Sequence, residues 1–228
     1  MCSIAAVRYA RGMCGRFALH HPNDEIHERF SVERPLFLSE PRYNIAPTQT
    51  IGVVTPARER VGMRWGLVPR WSKDGKPFLN ARGETLAEKP SFRTALQKRR
   101  VLVPMSGFYE WRTDGKLKVP LHIRLRGGAL YAAAGIWEPP ATPDGLPTVA
   151  LITVAANALI ATFHDRMPAI LVPTEEAAWL DEHHPSPASL LRTYAADEME
   201  MWTVSSRVNG VKDDDPGLVE PERRGLFG

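Results

Sequence analysis

Apolar residues along this chain come in short runs broken by proline, glycine and charge, as expected for strands that bury part of their surface. The runs predict strands over residues 14–18, 51–55, 60–65, 100–104, 108–112, 120–125, 130–136, 148–153, 169–172 and 201–204. Helices are predicted over 22–30, where Pro22 suits a first turn, and over 84–88, 91–98, 156–163, 174–181 and 187–194, the last with Ser186 as N-cap. Between residues 41 and 47, Pro41 and Pro47 forbid regular helix and hold an extended loop. Many short strands in meander order with helices inserted predict an α+β fold. The expectation is a single domain on a curved, mostly antiparallel, open barrel-like sheet with peripheral helices.

Composition narrows this picture. A chain of 228 residues with 43% hydrophobic content can bury a real core within one domain. No apolar run approaches the roughly 20 residues of a membrane span, so no membrane partner is expected. Residues 1–12 are too short for a secretory signal and read as an extension outside the fold. Residues 212–228, with three consecutive aspartates and two prolines, read as a disordered tail. Cys2 and Cys14 both lie at the N-terminus, so no disulfide could staple the core, which suits a reducing cytoplasm. Net charge +3 fits a nucleic-acid partner without establishing one. A monomer is the simplest assembly. No metal or other cofactor is expected: His20-His21 and His183-His184 are adjacent pairs facing different directions, and no glycine-rich phosphate loop or nucleophile elbow occurs.

The chemistry concentrates in five segments. In Met13-Cys14-Gly15-Arg16-Phe17, loss of the methionine would make Cys14 a terminal aminothiol. Such a group forms an imine with an aldehyde through its α-amine and then closes its sulfur onto the imine carbon, giving a thiazolidine. With reference values of roughly 8 for the amine and about 8.5 for the thiol, both nucleophiles are available near neutrality. An internal Cys14 would instead be a small buried hydrophobe. In Trp65-Gly66-Leu67-Val68-Pro69-Arg70-Trp71 the tryptophans could stack on unpaired bases; Trp65, at a strand end, reads as a core anchor and Trp71 as more exposed.

Asn80 and Arg82 in the NARGET segment share one face of an extended backbone and could grip a polar ligand and a phosphate, although the pair also fits a turn residue and a surface cation. Glu110 lies between Tyr109 and Trp111, surroundings that tend to desolvate a carboxylate and suit it to proton transfer; an outward-facing strand glutamate is the alternative. His164, before Asp165, Arg166, Met167 and Pro168, is the side chain suited to acid–base work at pH 7, or a helix-end residue.

MCGRF, RYNIAPTQ, WGLVPRW, NARGET, GFYEW and HDRMP, in this order from about Met13 to Val211, closely resemble the SOS-response-associated peptidase family of abasic-site processing proteins. The resemblance implies covalent capture of the ring-opened aldehyde of an abasic site in single-stranded DNA. It implies Cys14 as the cross-linking nucleophile and Asn80, Glu110 and His164 as its pocket. It further implies DNA contacts from Arg16, Trp71, Arg82 and Arg166, and a peptidase activity removing residues ahead of the cysteine.

The departure from the family pattern is the twelve residues before Met13. Three readings compete: initiation at Met13, cleavage after Met13, or use of Cys2 in place of Cys14. Two other functions fit the residues. One is a cysteine hydrolase built on Cys14, His164 and Glu110. The other is a non-covalent single-strand binder.

Overall fold

The computed structural model describes residues 15–72 and 75–222. Two sheets make up the α+β fold. In the five-stranded sheet the order is Met199–Thr203, Leu117–Leu125, Gly107–Asp114, Phe17–Leu19 and Arg42–Ile45, every neighbour antiparallel. The larger sheet runs from Arg166–Pro168 through Thr148–Ala155, Tyr131–Glu138, Arg100–Met105 and Thr50–Val54 to Glu59–Trp65. Its ends meet: Thr148 and Val149 pair in parallel with Arg64 and Trp65, so five strands close into a barrel rather than an open sheet. Closure removes edges that would otherwise present unpaired backbone groups.

Small residues make the barrel tight. Ala132, Ala133 and Ala134 are wholly buried on the Tyr131–Glu138 strand, and a Cβ at Gly135 would sit 3.0 Å from Val103 Cγ2. Any larger side chain there would crowd the valines of the two neighbouring strands, Val101, Val103 and Val149. Trp65 is the core anchor the sequence predicts: it is fully buried, meets Phe17 edge-on at 5.3 Å, and donates Nε1–H to the Leu79 carbonyl at 2.9 Å. That aromatic pair joins the barrel to the smaller sheet.

Helices are scarcer than expected. Among the described residues the α-helices are Asn23–Arg29, Pro90–Lys98 and Glu176–Leu180, none long and apolar enough to cross a membrane. The predicted helices at 84–88, 156–163 and 187–194 are single 3-10 turns at Gly83–Thr85, Ile160–Thr162 and Pro187–Leu190. At the second, the Asn157 side chain accepts the Ile160 N–H and donates to the Tyr194 carbonyl, drawing the backbone away from a regular helix. Ser186 makes no side-chain cap. Residues 42–45, expected as loop, form a strand beside Phe17–Leu19, with both prolines outside it.

The acidic C-terminal run departs most from expectation. Residues 212–222 are folded onto the domain: one Asp214 carboxylate oxygen accepts the N–H groups of Tyr43 and Asn44, the other pairs with Arg42, and Leu218 is fully buried. Trp202 Nε1–H donates to the Val219 carbonyl at 2.9 Å. An aspartate run reads as solvated only while the backbone donors and arginines it meets are out of view. Residues 223–228 lie outside the described residues.

Candidate functional site

The pairing of Phe17 with Phe108 and Ala18 with Gly107 sets the geometry of the site. Carried back along the strand, the same register opposes Arg16 to Tyr109, whose N–H donates to the Arg16 carbonyl at 2.9 Å, and Gly15 to Glu110. The described chain therefore begins against the glutamate. A Cβ at Gly15 would meet nothing within 4 Å, so this approach is open. Cys14 itself lies outside the described residues.

Glu110 is buried, its side chain 7% exposed, and its Oε2 lies 3.9 Å from His164 Nε2. Nδ1 of the same ring lies 3.1 Å from both the Arg166 nitrogen and the Arg166 carbonyl oxygen, so it meets a donor and an acceptor at once. His164 is held by its own N–H, which donates to the Ile160 carbonyl at 2.9 Å, while the exposed Asp165 carboxylate stands 3.6 Å from Nδ1. Glu110 belongs to the five-stranded sheet and His164 leads into the larger one, so the pair bridges the two.

Asn80 and Arg82 arrive on a short strand parallel to Thr148–Ala155, with Leu151 opposite Asn80 and Thr153 opposite Arg82. On the other flank of that strand, Ala155 opposes Arg166 and Thr153 opposes Pro168. One strand therefore carries both polar segments. Ala81, between the two, is buried, so Asn80 and Arg82 share the opposite face as alternation predicts; Asn80 is half-buried and Arg82 exposed. Trp71 is 63% exposed, as its loop position suggests.

Two of the four expected DNA contacts are engaged within the protein. Arg16 Nη1 donates to Asn44 Oδ1 at 2.7 Å and to the Val208 and Gly210 carbonyls at 2.7 and 3.1 Å. Burial lowers its pKa, with a smaller opposing effect from Tyr109. Arg166 makes a two-pronged pair with Glu84, Nη1 to Oε1 at 2.6 Å and Nη2 to Oε2 at 2.7 Å. Hydrogen bonding to Arg166 holds the Glu84 carboxyl below its ordinary range.

Sequence reasoning overlooked the partners. Asn44, 1% exposed, donates through Nδ2 to the Gly210 and Asp213 carbonyls at 2.8 and 2.7 Å, tying Arg16 to the C-terminal segment. Asn44 and Glu84 both sit inside the segments RYNIAPTQ and NARGET, but 28 and 82 positions from the arginines they meet, so no local signal paired them. Among the described residues no cluster of histidine, cysteine, aspartate and glutamate has a metal-binding arrangement.

The arrangement offers a carboxylate and an imidazole 3.9 Å apart, an amide on a strand of the larger sheet, and an exposed arginine and tryptophan. Such a set can move protons beside a nucleophile and hold an anionic polymer.

Known proteins resemble this chain along most of its length. The chain is 44% identical over 224 residues to the abasic site processing protein YoqW of Bacillus subtilis strain 168, covering 91% of this chain and 99% of that protein. It is 32% identical over 240 residues to the abasic site processing protein HMCES of Gallus gallus, covering 85% and 71%. A crystal structure of a Bacteroides thetaiotaomicron protein, 26% identical, superimposes with a TM-score of 0.83 over 92% of this chain and all of that one. The SOS response associated peptidase (SRAP) profile matches residues 13–211. The chain belongs to the SOS response associated peptidase family.

Proposed function

We propose that this protein processes abasic sites in the response to DNA damage, by covalent capture of the ring-opened aldehyde in single-stranded DNA through Cys14. The observation that carries the reading is the Glu110–His164 pair at the point where the chain enters from Gly15. The relatives' names, abasic site processing protein, support the same substrate.

The chemistry follows from an aminothiol meeting an aldehyde. The α-amine of Cys14 adds to C1′ and gives a carbinolamine. Glu110, in its protonated form, donates a proton as the hydroxyl leaves as water, and its carboxylate then takes the N–H proton of the iminium, so that an imine remains. The thiol sulfur then bonds to the imine carbon while its proton passes to the nitrogen, so one aldehyde and one aminothiol become a thiazolidine and one water. His164 protonates the sugar ring oxygen during opening, and Asn80 hydrogen-bonds the deoxyribose or the amine. Trp71 stacks on a base, and Arg82 meets a phosphate. Arg16 and Arg166 contribute positive charge from anchored positions. The sequence of steps requires no metal or other cofactor.

Capture through the α-amine requires Cys14 to be terminal, by initiation at Met13 or by cleavage after it. A peptidase activity of the protein itself would supply the second route. Protein that keeps residues 1–13 is expected to form no thiazolidine at Cys14.

The test uses protein beginning at Cys14, incubated with single-stranded DNA bearing one abasic site, then denaturing gel electrophoresis and intact mass. The expected product has the mass of protein plus DNA minus one water and is absent with Cys14→Ala. No adduct, with salt-sensitive binding retained, would make the protein a non-covalent binder. Turnover that survives acetylation of the terminus would make it a cysteine hydrolase.

A further inference from the structure

Arg166 has two edges through which a guanidinium can fork onto a phosphate. The side-on edge is closed: Nε is buried without a hydrogen bond, and Nη2 donates inward to the Thr153 carbonyl at 2.6 Å. The end-on edge faces outward, and Glu84 holds both of its prongs. The Arg166 side chain is 11% exposed and that of Glu84 50%, so the carboxylate lies over the guanidinium on the solvent side. A carboxylate on that fork has the acceptors, spacing and charge sign of a phosphate. Glu84 also follows Arg82 by two residues, on the turn Gly83–Thr85, while Arg166 follows His164 by two. The pair therefore stands at the margin of the candidate site.

The geometry points to Glu84 as a built-in competitor that occupies the phosphate position on Arg166 until DNA displaces it. This rests on the single-strand-binding part of the proposed function. Phosphate binding at Arg166 is then attenuated by the cost of breaking the Glu84 pair, and strands that gain nothing elsewhere in the site are held weakly. A purely supporting role for Glu84, orienting Arg166 for DNA, demands the opposite sign, because removing a support weakens binding.

The experiment measures anisotropy of a fluorescein-labelled oligothymidylate with the full chain across a salt series. The probe contains no abasic site, so capture chemistry plays no part. Glu84→Gln is expected to bind roughly two- to fivefold more tightly, the span of a half-exposed ion pair. Its log–log salt slope should steepen by about 0.7, the contribution of one phosphate on a single strand. Removing any negative charge near DNA raises affinity, so Arg166→Ala and the double variant complete a cycle. The gain from Glu84→Gln should vanish in the Arg166→Ala background. Weaker or unchanged binding by Glu84→Gln, or a gain that persists in full without Arg166, overturns the inference. Failure of abasic-site adduct formation with this pattern intact would remove the capture chemistry and leave the competition standing. Binding by none of the proteins at low salt would overturn both.

Discussion

The strand pair Phe17–Leu19 and Gly107–Asp114 has a different polar group at each end. At one end Glu110 faces His164 at 3.9 Å, with Asp165 3.6 Å from the other ring nitrogen. At the other, Ser106 Oγ accepts the His20 N–H at 2.9 Å and lies 2.6 Å from His21 Nδ1, while His122 is fully buried against Gly107. Carboxylates accompany the first histidine. In the second group one carboxylate, Glu25, stands 3.5 Å from His21 Nε2, but burial and positive charge dominate: burial first, then His20 and Arg124, push His122 down to about 3, and burial and His21 push His20 down to about 4. Histidine count therefore says little about acid–base chemistry; the neighbours decide which imidazole can exchange protons with a substrate and which is held neutral in the core.

The contrast is sharpest in the rate of capture. Glu110→Gln should slow adduct formation by about a hundredfold or more, the usual contribution of a positioned acid, with little change in melting temperature. Single-turnover gels check this. An unchanged rate would remove the distinction between the two ends.

Acid should act first on the buried end. The folded pKa of His122 lies below the value of roughly 6.5 in the unfolded chain, so between the two the unfolded state binds more protons. Stability contributed by the neutral ring is present above pH 6.5 and is lost as pH falls toward 3. At pH 5 the loss from this residue is about 2 kcal/mol, seen in urea unfolding across pH. His122→Gln should flatten that dependence while leaving adduct formation unchanged. An undiminished slope would shift the acid sensitivity to other groups.

Ser106→Ala would strip the His20 N–H of its acceptor and His21 Nδ1 of its hydroxyl partner, costing about 1–2 kcal/mol in stability without a rate effect. A loss of capture rate in this variant would couple the two ends. The smallest change is expected for Arg82→Ala at the exposed margin. Affinity for single-stranded DNA should fall about threefold and the salt slope lessen by about 0.7, read by anisotropy.

Much of the barrel was legible in apolar runs. Residues 60–65, 100–104, 130–136 and 148–153 are strands to within a few positions of their predicted limits, because a buried strand needs only its own side chains to declare itself. Trp65 as anchor and the shared face of Asn80 and Arg82 follow from the same local logic. Local patterns failed where partners are distant. Asp214 meets Arg42, Tyr43 and Asn44 from about 170 positions away, and the Asn157 side chain reaches Tyr194.

The order and type of the residues thus determined that the chain forms an α+β sheet protein, which segments carry reactive groups, and, through six segments in order, its family. Tertiary structure alone decided that the sheet closes, that the acidic run is folded, that Glu110 meets His164, and that Arg16 and Arg166 are already engaged. The reason is physical. Alternation and turn chemistry act over a few bonds, whereas closure, ion pairing and desolvation depend on groups that only the folded chain brings within a few ångströms.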